Sequence, residues 1–142
     1  MYGLYSFMVR GDLMKTEWYE YDKEGDVLDV YFGAKRPAWT IELTPNIMIS
    51  VDRANQQAVS LTLIDYTELV RPTIWGARSF PITGLADLPI EERDLVLTIL
   101  NSPPVNSWLD MSAVQMLPDS PFAVTHLEPP PPPVTQLVPQ IA

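Results

Sequence analysis

The chain has 142 residues, 46% of them hydrophobic, with a formal net charge of −9 and no cysteine. That length suits one domain with appendages, and the charge argues against a phosphate-backbone binder, which needs clustered Lys and Arg, and against docking on an anionic membrane. Without cysteine there are no disulfides, thiolate metal ligands or Cys nucleophiles.

Residues 1–13 show no basic stretch ahead of an apolar run and no small-residue cleavage site, so they do not read as a signal peptide. Met14 opens Met-Lys-Thr-Glu, which looks like a natural start. Residues 1–13 are therefore expected to form a disordered extension outside the fold. Trp18–Tyr21 can extend as a first strand. Asp22–Asp26 is turn chemistry, because Gly25 tolerates positive φ and Asp bonds its own backbone.

Val27–Phe32 alternates, with Leu28, Val30 and Phe32 on one face and Val27, Asp29 and Tyr31 on the other. Trp39, Ile41 and Leu43 alternate with Thr40 and Glu42; Ile47, Ile49 and Val51 alternate with Met48, Ser50 and Asp52; Val59, Leu61 and Leu63 alternate with Ser60 and Thr62. The loops between these runs are too short for parallel crossovers. Residues 14–70 thus read as an antiparallel β-meander of four to five short strands.

One face of that sheet is apolar and must be covered. The best cover is a helix over Leu88–Leu100, capped by Asp87, with Pro89 in its first turn and Glu91 and Glu92 against the N-terminal dipole. Leu88, Leu95, Val96, Ile99 and Leu100 form its apolar stripe. A short strand is expected around Arg78–Ile82. Trp108–Met116 and Phe122–Leu127 each read as a strand or an irregular arm. Residues 71–128 complete the same domain, giving an α+β, mainly β fold. Residues 129–142 form a proline-rich C-terminal arm: Pro129, Pro130, Pro131, Pro132 and Pro133 make a polyproline rod of about 15 Å, followed by Val134, Leu137, Val138 and Ile141.

Candidates for chemistry are few. His126 is the only histidine, and no second His or Cys completes a zinc site or a catalytic pair. Asp22, Glu24 and Asp26 have the alternate spacing of a calcium loop, but the sixth and twelfth positions hold Val27 and Gly33 instead of Gly and Glu. A hairpin turn is the favoured reading. Asp29 and Glu42 share the polar sheet face, where paired carboxylates either perform acid–base work or stay solvated. No Gly-rich phosphate loop is present. Trp18, Trp39, Trp75 and Trp108 read as packing residues.

The run from Tyr21 through Asp22, Glu24, Asp26, Leu28 and Val30 to Phe32 resembles the opening signature of a small bacterial family, domain of unknown function 2283. A strand carrying Glu42, an apolar strand ending at Asp52 and a strand finishing near Ile64–Asp65 continue the resemblance, to about Leu69. It implies a compact β-module and no activity; an antitoxin-like role is implied by the toxin-like neighbours of some members. Here the loop after Asp52 reads Arg53-Ala-Asn-Gln-Gln57, where members carry Gly.

The expectation is a non-catalytic, cytoplasmic interaction protein or accessory subunit without cofactor or metal. It would bind a protein partner or itself through Pro129–Pro133, Val134, Leu137, Val138 and Ile141, and neither nucleic acid nor membrane. The alternatives are an antitoxin-like neutraliser of a small basic toxin, and a ligand- or metal-binding or hydrolytic protein using the acids of Asp22–Asp29.

Overall fold

The computed structural model describes residues 4–8, 17–72, 74, 79–117 and 120–127. Among them run β1 (Leu4–Met8), β2 (Glu17–Asp22), β3 (Val27–Phe32), β4 (Trp39–Thr44), β5 (Ile47–Asp52) and β6 (Gln57–Ile64). Helix α1 (Tyr66–Leu69), β7 (Phe80–Ile82), α2 (Ile90–Leu100), a 3-10 turn (Val105–Ser107), β8 (Leu109–Leu117) and β9 (Ser120–Leu127) follow. The fold is mainly β with one main helix, as the period-two runs predict.

All pairings are antiparallel, and the first six strands form one sheet in the order β1-β2-β3-β6-β5-β4. β4, β5 and β6 are consecutive hairpins. The chain reaches β4 from β3 by a crossover, Gly33–Ala38, which leaves β6 to pair with β3. That crossover spans three strand spacings, about 14 Å. Six residues reach roughly 20 Å when extended, so the link is long enough without a helix.

Alternation puts Tyr19, Tyr21, Leu28, Val30, Leu61, Leu63, Ile47, Ile49 and Ile41 on one buried face. Each fully buried aliphatic side chain there contributes about 1.5–3 kcal/mol relative to exposure. Their cover comes from Tyr66 and Leu69 of α1, Ile82, Leu85, Val96, Ile99 and Leu100 of α2, and Val105, Trp108, Leu109 and Leu127, all in one core. The predicted stripe holds: Val96, Ile99 and Leu100 of α2 are buried, and Leu95 of α2 and Leu88 ahead of it are partly buried against the core.

Two expectations are corrected. Leu4–Met8 pairs with β2 as an edge strand, in register from Leu4 opposite Asp22 to Met8 opposite Trp18, instead of lying outside the fold. An aromatic, apolar segment extends readily beside an open sheet edge. Helix α2 begins at Ile90 with Pro89 in the capping position and no side-chain cap bond, so Asp87 does not cap it. Arg93 reaches back instead, donating from Nε to Leu85 O and from its terminal nitrogen to Ala86 O and Leu88 O, each at 3.1 Å. After β6, Tyr66–Leu69 coils into a helical turn.

A second sheet, ordered β7-β9-β8, completes the fold. It meets the first where Gly84 N donates to Leu43 O at 3.0 Å. A Cβ on Gly84 would lie 1.7 Å from Glu42 O, so only glycine allows the two backbones to come this close.

Candidate functional site

The acidic signature Asp22–Asp26 folds into a hairpin turn between β2 and β3. Asp22 Oδ1 accepts from Glu24 N at 3.1 Å and Gly25 N at 3.2 Å, which closes the turn. Asp26 takes a left-handed φ of 54°, a conformation that short polar side chains tolerate best. Its carboxylate accepts the Tyr21 hydroxyl at 2.7 Å, Thr67 N at 3.1–3.2 Å and the Thr67 hydroxyl at 2.5 Å. Thr67 lies 41 residues further on, in the first turn of α1.

Asp26 therefore does the work of an N-cap for α1, satisfying an amide that the helix cannot bond itself. Asp65, the residue in the capping position, makes no side-chain cap bond and instead accepts from Asn46 Nδ2 at 3.1 Å. Burial, then the Asp26 carboxylate, pushes the Tyr21 hydroxyl well above the ordinary phenol range. The signature thus joins hairpin and helix. Among the described residues no group of three or more His, Cys, Asp or Glu is placed to hold a metal ion.

The opposite sheet face carries the other acids. One row runs Glu42, Met48, Thr62, Asp29, Glu20 across β4, β5, β6, β3 and β2. Asp29 Oδ1 accepts the Thr62 hydroxyl at 2.6 Å. Partial burial raises the Asp29 pKa above 3.8; Glu20 adds to the rise, while the Thr62 bond and Lys35 oppose it. Glu20 is held by Lys35 Nζ at 3.0 Å. Asp29 and Glu42 share this face as predicted but stand three strands apart, with Thr62 and Met48 between them. The row brings Asp29 beside Glu20 instead.

The crossover Gly33–Ala38 forms the rim of this face. Trp18 and Tyr31 stack with ring centroids 4.3 Å apart, and the Trp18 indole N–H donates to Gly33 O at 2.8 Å. Lys35 Nζ sits 4.9 Å from the Tyr31 ring and 5.4 Å from Trp18. Arg36 binds Asp52 at 3.3 Å and Gln57 at 3.1 Å. Arg53 lies 4.1 Å over Trp39 and binds Glu92 of α2 at 2.9 Å. Each of these three cations faces an acid, and exposed pairs of this kind add little stability because water screens them. Lys35 and Arg36 fasten the crossover to β2 and to the β5–β6 hairpin, and Arg53 ties that hairpin to α2.

Sequence reasoning missed a buried acid. Glu17 is 7% exposed and accepts the Trp108 indole N–H at 3.0 Å and the Tyr19 hydroxyl at 3.1 Å. Trp108 packs edge-on against Tyr19, so this cluster ties β2 to the start of β8. Placing Glu17 in the β2 alternation, on the same face as Tyr19 and Tyr21, would have flagged it. Lys35 and Thr62 had no such signal, because their partners are remote in sequence, and Arg93 had none because its partners are backbone carbonyls.

His126 lies in β9 opposite Asp110. Trp75 and the whole predicted partner-binding set, Pro129–Pro133, Val134, Leu137, Val138 and Ile141, fall outside the described residues. No described helix is long and apolar enough to cross a membrane. Comparison with protein-family models, curated proteins and solved structures returns no match.

Proposed function

We propose that the protein is a non-catalytic interaction protein, in which a rigid β-scaffold presents the proline-rich arm to a protein partner. The observation that carries this reading is the anchorage of the arm. Leu127, the last residue of β9, is buried in the core and pairs with Leu109, which is also buried. The chain therefore enters the polyproline stretch from a fixed point. A run of five prolines has little conformational freedom to lose on binding, and Val134, Leu137, Val138 and Ile141 supply apolar anchors.

The acids of the Asp22–Asp29 segment support the same reading. Asp22 and Asp26 are committed to turn and cap bonds, and Asp29 to Thr62. A net charge of −9 favours a basic partner, and neutralising a small basic toxin is one form such binding takes. The resemblance of Tyr21–Phe32 to the domain-of-unknown-function 2283 family points to the same compact scaffold. The test is affinity capture from the native host with the full chain and with a chain lacking Pro129–Ala142. A stoichiometric partner retained by the full chain and lost by the shortened one is expected. Equal capture by both would refute the arm as the binding element.

A further inference from the structure

We propose that two copies of the chain pair edge to edge through β8, forming a twofold dimer with one continuous sheet ordered β7-β9-β8-β8-β9-β7. This interface is separate from the arm and goes beyond the reading above.

The strand order carries the inference. In the second sheet β9 is central, and among the described residues β8 has a strand on one side only. Folded proteins guard open edges with charges, prolines, short strands or covering segments. Of the other edges, two are guarded, and the third, β1, is short, with five residues. β7 has three residues, one of them Pro81. The β4 edge meets Gly84 at Leu43. β8 has nine residues, and from Met111 to Leu117 it contains no charged residue, proline or glycine.

The hairpin also needs support along its length. β7 pairs only with Ala123, Val124 and Thr125 of β9. From Val114 opposite Phe122 to Leu117 opposite Ser120, the described sheet is therefore two-stranded. An isolated two-stranded ribbon is marginal in water, and more strands stabilise it. A second β8 makes this half four-stranded.

Charge selects a second copy as the occupant. Two chains of net charge −9 repel each other over most of their surface. Of the 18 acidic residues, only Asp110 lies in β8 and β9, which also contain no Lys or Arg. It sits near one end of β8, so twofold antiparallel pairing about the strand centre puts the two Asp110 residues at opposite ends. The pairing also closes. It uses the longest unguarded edge among the described residues of each copy and leaves β7 outermost, so growth of the joined sheet stops at two.

Twofold antiparallel pairing places one residue of β8 directly opposite its own copy, with Cα atoms about 4.5–5.5 Å apart. That is within disulfide reach, whereas the next residue along meets its own copy about two positions out of step and on the other face. The chain has no cysteine, so single cysteines can be placed one at a time from Met111→Cys to Leu117→Cys in the full chain. One position should cross-link to a covalent dimer under mild oxidation while its neighbours remain uncoupled. Light scattering of the unmodified chain should give twice the chain mass. Val114→Lys should halve that mass with the far-ultraviolet circular dichroism unchanged, and removal of Pro129–Ala142 should leave the dimer intact. A monomeric unmodified chain, a dimer that no cysteine position cross-links, or a dimer lost with the arm would overturn the proposal.

Discussion

Gly84→Ala tests how the two sheets are joined. The new methyl carbon would sit 1.7 Å from Glu42 O, 2.8 Å from Glu42 C and 3.2 Å from Leu43 O. All three are backbone atoms in a paired strand, so no side-chain rotation relieves the clash. Restoring an ordinary contact needs a separation of about 1.5 Å, which stretches the Gly84 N to Leu43 O bond from 3.0 Å beyond hydrogen-bond range. Overpacking of this kind costs about 1–3 kcal/mol, and the lost bond about 0.5–1.5 kcal/mol more. Ile82 and Leu85, buried on either side of Gly84, would be dragged with it. The expected total is about 2–4 kcal/mol, a fall in melting temperature on the order of 10 °C for a chain of this size. Urea unfolding followed by tryptophan fluorescence measures the first figure and a thermal melt the second. Gly33→Ala is the control: its φ of 104° makes any side chain strained, yet nothing lies within 4 Å of the added carbon. It should cost less. If Gly84→Ala melts with the unmodified protein, the close approach of the backbones is wrong.

Asp26→Ala removes the acceptor for Tyr21 and Thr67 and should cost about 3–5 kcal/mol by urea unfolding. Thr67→Val, which deletes one of those donors, should cost less; equal costs would argue against Asp26 as the shared hub. Arg93→Ala leaves three carbonyls ahead of α2 without their donor and should cost about 2–3 kcal/mol, with Arg93→Lys recovering part of it. No loss in either variant would refute the clamp. Asp29 titrates above 3.8 in the fold because burial penalises its charge, so the unfolded chain ionises it more easily. Its contribution is a loss of stability as pH rises from 3.8 through the raised folded pKa, level above that. Asp29→Asn removes that loss. The urea midpoint of the variant should therefore rise relative to that of the unmodified chain across this window, and a constant difference between about pH 3.5 and pH 7 would contradict the assignment.

The strands were legible because side-chain alternation is a local property. Leu28, Val30, Ile41, Ile49 and Leu61 announce their face within six residues of chain, and the structure buries all of them. Strand order is not local. Nothing near Val27–Phe32 states that its second partner is Gln57–Ile64, because that choice depends on how the crossover spans the sheet. The acidic turn was legible for the same reason as the strands, since Asp22 closes it with bonds two and three residues away. The task of Asp26 was not, since its partner Thr67 sits in a four-residue helix that composition does not signal. Helix α2 was found from its apolar stripe. Its start was misplaced because Asp87 resembles a cap, whereas the side chain that binds the carbonyls ahead of the helix is Arg93.

Strand order also sets a schedule. β6 lies between β3 and β5 and is the last of the six strands to be made. Until Ile64 has left the ribosome, β1–β2–β3 and β4–β5 exist only as separate pieces with apolar faces open to water. Such small pieces, with nothing packed on their apolar faces, are marginal alone. Joining β3 to β6 closes a loop of about 30 residues, and that entropy is lost before the pairing is gained. The sheet should therefore assemble in one late step when β6 is inserted, and nascent chains stalled short of β6 should be the ones most exposed to aggregation.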